Sequence, residues 1–69
     1  DDEIIEKVIN FGAFDYDNQK MANILNVDLK TIDEFMINSN SAFKKLYNRG
    51  QDLSDYVIDT KLFDLARTG

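Results

Sequence analysis

Residues 18–36, NQKMANILNVDLKTIDEFM, carry apolar side chains at helical spacing on both sides of one short break. Met21, Ile24 and Leu25 stand at i, i+3 and i+4, with Ala22 where a neighbouring helix could come close; Leu29, Ile32, Phe35 and Met36 repeat the pattern. Between the two runs lies Asn26-Val27-Asp28. Asn accepts the left-handed conformation more readily than other non-glycine residues, so Asn26 can end the first helix, and Asp28 is expected to cap the second by accepting from its free N–H groups. Val27 is expected to plug the angle between them. The spacing is that of a helix-turn-helix, with Leu29 to Asn38 in the place of the recognition helix.

A chain of 69 residues holds one domain, and a core of that size stabilises a fold marginally, so help from a partner subunit is expected. Cysteine and histidine are absent, which removes disulfides, thiolate metal sites, the usual zinc ligand and the usual general base. The sequence therefore argues against an enzyme and implies no cofactor. Proline is absent and the three glycines are Gly12, Gly50 and Gly69, a pattern that predicts an almost wholly helical, all-α chain. No apolar run reaches the roughly 20 residues needed to cross a bilayer, and the acidic opening is unlike a targeting peptide. A soluble, intracellular protein is expected, and the missing initiator Met suggests a domain cut from a longer chain.

The remaining pattern places a three-helix core, with its helix-turn-helix at 17–38, before a longer fourth helix at 41–68, all within one domain, 1–69. The first helix is expected from Asp2 to Phe11, with its acids in the first turn, Ile4, Ile5, Val8, Ile9 and Phe11 apolar, and Gly12 ending it. Phe14 and Tyr16 cross a loop, and Asp15 or Asp17 caps the second helix. Asn38-Ser39-Asn40-Ser41 forms a turn in which Asn40 or Ser41 caps the fourth. Gly50 leaves two readings open: a break in that helix, or close contact with another backbone. Phe43, Leu46 and Tyr47 would close the core, while Val57, Ile58, Leu62, Phe63, Leu65 and Ala66 exceed what three helices need and suggest a subunit or domain contact. Phe35 is expected to fill the junction of the first three helices, so that Phe35→Ala would cost about 3–5 kcal/mol.

Net charge is −5, which opposes nucleic acid, but its distribution is uneven. Residues 1–17 hold six acids and one base, residues 18–49 five bases and three acids, and residues 50–69 four acids and two bases. The one positive region contains the helix-turn-helix.

Phe11-Gly12-Ala13, then Met21-Ala22, Leu25, Val27, Thr31-Ile32 and Phe35, then Phe43, Gly50, Val57, Leu62 and the closing Leu65-Ala66-Arg67-Thr68-Gly69 follow one another in an order that resembles the N-terminal DNA-binding domain of phage small terminase subunits, a homeodomain-like helix-turn-helix. The chain departs from that pattern at Asn26, which replaces a glycine, at Asp28, which replaces a serine, and at Asp33-Glu34, which replace an aromatic and a basic or polar residue. The resemblance implies recognition of double-stranded viral DNA for genome packaging, a ring-shaped homo-oligomer, and a large terminase subunit as partner in the cytoplasm of an infected bacterial host. It implies no enzymatic activity in this subunit.

The residues placed to meet DNA are Lys30, Thr31, Asp33 and Glu34 on the recognition helix, with Lys20, Lys44, Lys45 and Arg49 flanking it. Thr31 can bond a phosphate or a base edge, and the lysines suit phosphate. Asp33 and Glu34 oppose approach. Two other functions fit the same stretch: a helix-turn-helix transcriptional regulator, and a protein-interaction module that has lost DNA binding.

Overall fold

The computed structural model describes the backbone of residues 2–68 and the side chains of residues 2–60. Its described residues form four α-helices and no strand: α1 (Asp2–Ala13), α2 (Asn18–Leu25), α3 (Leu29–Ile37) and α4 (Ala42–Thr68). The chain is all-α, as its composition predicts. No described helix is long and apolar enough to cross a membrane.

Gly12 does not end α1. The helix runs past it to Ala13 and stops because Asp15 takes the left-handed conformation, φ 57°. The amide of Tyr16 then reaches back to the carbonyl of Phe11 (3.0 Å) and that of Asp15 to Gly12 (3.0 Å), which together satisfy two of the helix's last free carbonyls. The Tyr16 and Phe11 rings, 6.0 Å apart, supply the apolar contact that accompanies this motif.

Asp17, in extended geometry, accepts from the Lys20 amide at 2.8 Å and starts α2. Asn26 ends it at φ 58°, ψ 48°, with the Val27 amide bonded to the Ala22 carbonyl at 3.0 Å. The expected left-handed Asn is present. Asp28 stands at the N-cap of α3 in extended geometry, but its side chain makes no capping hydrogen bond; its contribution there is the charge beside the helix dipole. Val27 is 42% exposed, so it lies over the turn and does not plug it.

The second turn resolves to Ser41. Its Oγ donates to the Phe35 carbonyl (2.7 Å) and accepts from the Lys44 amide (3.1 Å), closing α3 and opening α4 with one hydroxyl.

The core is Val8 and Phe11 of α1, Met21 and Ala22 of α2, Ile32 of α3 and Tyr47 of α4, with Tyr16, Leu25, Met36, Phe43 and Leu46 packed around it. Ile32, fully buried, is the side chain that anchors α3. Phe35 is 41% exposed and stacks on Phe43 with centroids 5.4 Å apart, so it seals the α3–α4 corner from outside instead of filling the core. Helical periodicity puts positions 32 and 35 on one side; packing chose the former as its centre.

α4 is continuous through Gly50. A Cβ built on Gly50 would fall on the carbonyl oxygen of Ile9 and 2.8 Å from the amide nitrogen of Ala13, and one built on Gly12 would fall on the carbonyl oxygen of Tyr47. The two glycines thus open both sides of one helix crossing, each presenting a Cα hydrogen to a carbonyl of the other helix. Of the two readings of Gly50, close contact is the one observed. Ile4 and Val8 lie beside Ala42, Phe43 and Leu46, and Ile9 and Ala13 beside Leu53 and Ser54, so α1 and α4 run in the same direction. Val57 and Ile58 are about half exposed on α4, while the side chains of Leu62, Phe63, Leu65 and Ala66, expected at a subunit contact, lie outside the described residues.

Candidate nucleic-acid interface

α2, the Asn26–Asp28 turn and α3 form the helix, turn and helix that the sequence spacing predicts, and two hydrogen-bonded links fix this unit. The first is Asn18, whose Nδ2 donates to Asp33 Oδ1 at 2.8 Å, joining the first residue of α2 to the middle of α3. The second holds the α1–α2 loop on α4: the Tyr47 hydroxyl donates to the Tyr16 carbonyl at 2.8 Å, and Gln51 Nε2 donates to Asp15 Oδ1 at 3.1 Å. Burial, and then the nearby Asp15 carboxylate, push the Tyr47 phenol above its ordinary value of 10.0, with Asp17 adding to the same effect. A neutral hydroxyl that donates into a carbonyl is thereby favoured.

Of the four α3 positions expected to face solvent, Lys30 and Glu34 do, and Thr31 and Asp33 are half-buried. Asp33 spends its carboxylate on Asn18 and is a strut within the helix pair, which separates it from Glu34, the acid left on the outer face. The sequence shows two adjacent acids; their division of labour depends on where Asn18 falls in space.

The flanking cations are placed by two different devices. Lys20 Nζ lies 4.7 Å from the Tyr16 ring centroid and Lys44 Nζ 5.5 Å from that of Tyr47, so both ammonium groups are steadied over aromatic faces. Lys45 and Arg49, one turn apart and exposed, line a shallow groove on α4 with Leu46, Asn48 and Asp52. Asn48 is the site residue that charge-based reasoning passes over: an exposed amide between two cations, able to donate to a phosphate oxygen. Along α4 the sign of charge changes. Lys44, Lys45 and Arg49 occupy its first turns, and Asp52, Asp55 and Asp59 the turns that follow.

The arrangement defines a small all-α domain built around a helix, turn and helix, with cations on α2, α3 and the start of α4. Neither protein-family models, nor curated proteins, nor solved structures match the chain.

Proposed function

We propose that the chain is the DNA-binding domain of a viral DNA-packaging protein of the terminase small-subunit kind, which recognises viral duplex DNA and helps load it onto the large subunit. The observation that carries this reading is the α2–turn–α3 unit: Ile32 buries one side of α3 in the core while Lys30 and Glu34 hold the opposite side open to solvent. A helix anchored in that way is suited to enter a major groove. The order of residues resembling small terminase subunits supports the narrower assignment. Lys20, Lys44, Lys45 and Arg49 supply phosphate contacts, few enough that one copy binds weakly and a ring of copies binds usefully, each contact after the first being intramolecular.

A protein-interaction module without DNA binding is the second reading, favoured by the net charge of −5 and by Glu34 on the open face. One titration separates them. Replacing Lys30, Lys44, Lys45 and Arg49 with Ala in the oligomeric full-length protein is expected to weaken duplex binding and to flatten its salt dependence by up to about 0.9 in slope for each phosphate no longer neutralised, with helicity unchanged. Fluorescence anisotropy at two salt concentrations reads this directly, and equal affinity with an equal slope would overturn the DNA reading.

A further inference from the structure

Ile32 is fully buried, and at about 100° per residue Lys30, Glu34 and Ile37 fall on the arc of α3 opposite it, all three exposed. Asp33, off that arc, is held by Asn18. The side chains of Lys30 and Glu34 have no ion-pair or hydrogen-bond partner among the described residues. Their order accounts for the missing pair, since a Lys four residues before a Glu pairs less well than the reverse. Ile37 is 84% exposed, the most open of the large apolar side chains described. The outer face of α3 thus offers one cation, one carboxylate and one aliphatic group, all unpartnered, along about 10 Å of helix, the length of roughly three base-pair steps.

We propose, resting on the DNA reading above, that Glu34 selects the sequence: its carboxylate accepts from the N4 amino group of a cytosine in the major groove, and Ile37 packs on the C5 methyl of a neighbouring thymine. A carboxylate only accepts hydrogen bonds. Guanine presents acceptors alone on that edge, thymine presents an acceptor and its methyl, and the amino group of adenine sits beside the N7 acceptor of the same base, which leaves cytosine as the partner of Glu34. Lys30, one turn earlier on the same face, offsets the repulsion between Glu34 and the phosphates. Against any other base the carboxylate is desolvated without a donor, so the preference comes from the penalty at wrong sites as much as from the bond at the right one. Glu34 therefore costs affinity in general and returns it at one base.

The test is selection from a pool of duplexes randomised over about ten base pairs, one helical turn, by the full-length protein and its Glu34→Gln and Ile37→Ala variants. Fluorescence anisotropy then follows the enriched duplex and duplexes changed one base pair at a time. The parent is expected to enrich a cytosine with a thymine near it, and to bind that duplex about tenfold more tightly than those with another base in place of the cytosine. Glu34→Gln is expected to lose this preference or to move it to adenine, which glutamine reads, and to keep the thymine. Uracil in place of the thymine removes only the methyl; it is expected to weaken the parent about fourfold, the worth of one buried methyl group, and to leave Ile37→Ala unaffected. If Glu34 only repels phosphate, Glu34→Gln binds every sequence more tightly by one factor and selects the same site, which overturns the proposal, and equal responses of parent and Ile37→Ala to uracil overturn the part given to Ile37. Salt-dependent duplex binding by the parent without a cytosine preference overturns this inference alone, whereas no duplex binding by the parent overturns the DNA reading and this inference with it.

Discussion

Gly12 and Gly50 show how one residue type carries opposite meanings. An exposed helical glycine costs about 1 kcal/mol relative to alanine, so alanine at either position would stabilise an isolated helix. Here a Cβ at Gly12 meets the Tyr47 carbonyl and one at Gly50 the Ile9 carbonyl, both of them backbone atoms of a packed helix that cannot step aside. Gly12→Ala and Gly50→Ala are each expected to destabilise the domain by about 3 kcal/mol, the upper range for overpacking, and thermal melting of the two variants checks it. A rise in melting temperature for either would mean that the helices do not touch there. The sequence alone does not make this choice. It suggests Gly12 as a helix end because the residue that adopts the left-handed geometry, Asp15, tolerates it without being marked for it, and the need for space at Gly12 comes from a helix more than thirty positions away.

At the scale of elements, most of what is local was legible, the side-chain cap expected of Asp28 excepted, and what depends on a partner was not. Asn26 in the left-handed region, Asp17 and Ser41 as caps and the bounds of α2 and α3 follow from side chains acting on their own backbone. The centre of the core does not, because a face wide enough to hold Ile32, Phe35 and Met36 can settle in more than one phase. The structure selects Ile32. Ile32→Ala is therefore expected to cost about 2–5 kcal/mol, and Phe35→Ala roughly 1–2 kcal/mol, since its ring keeps 41% of its exposure and gives up only part of a burial contribution plus its stack on Phe43. Urea unfolding of the two variants orders them, and a larger loss at Phe35 would restore the core that periodicity alone suggests. The candidate site divides in the same way: the cations were identifiable as charges, but Asp33 became a strut and Lys20 and Lys44 became steadied cations only through Asn18, Tyr16 and Tyr47.

For the molecule as a whole, a small core is held by the α1–α4 crossing and by the loop that Tyr47 fastens to α4, so the state of one phenol bears on the entire domain. The Tyr47 pKa is raised in the folded protein, first by burial and then by Asp15; the folded state therefore holds this proton more tightly than the unfolded chain does. Its contribution is complete below the unfolded value near 10.0 and is lost as pH rises through the folded pKa, where a phenolate would face Asp15 and Asp17 and could no longer donate to the Tyr16 carbonyl. Tyr47→Phe is expected to cost about 1 kcal/mol at neutral pH, the net value of a hydrogen bond. It also removes the titrating group. Every other ionisable side chain is common to parent and variant, so the gap in stability between the two isolates Tyr47. Denaturant unfolding between about pH 8 and about pH 11 is expected to show that gap narrowing toward the alkaline end; a gap that stays constant would mean that the hydroxyl is not the fastening between loop and helix.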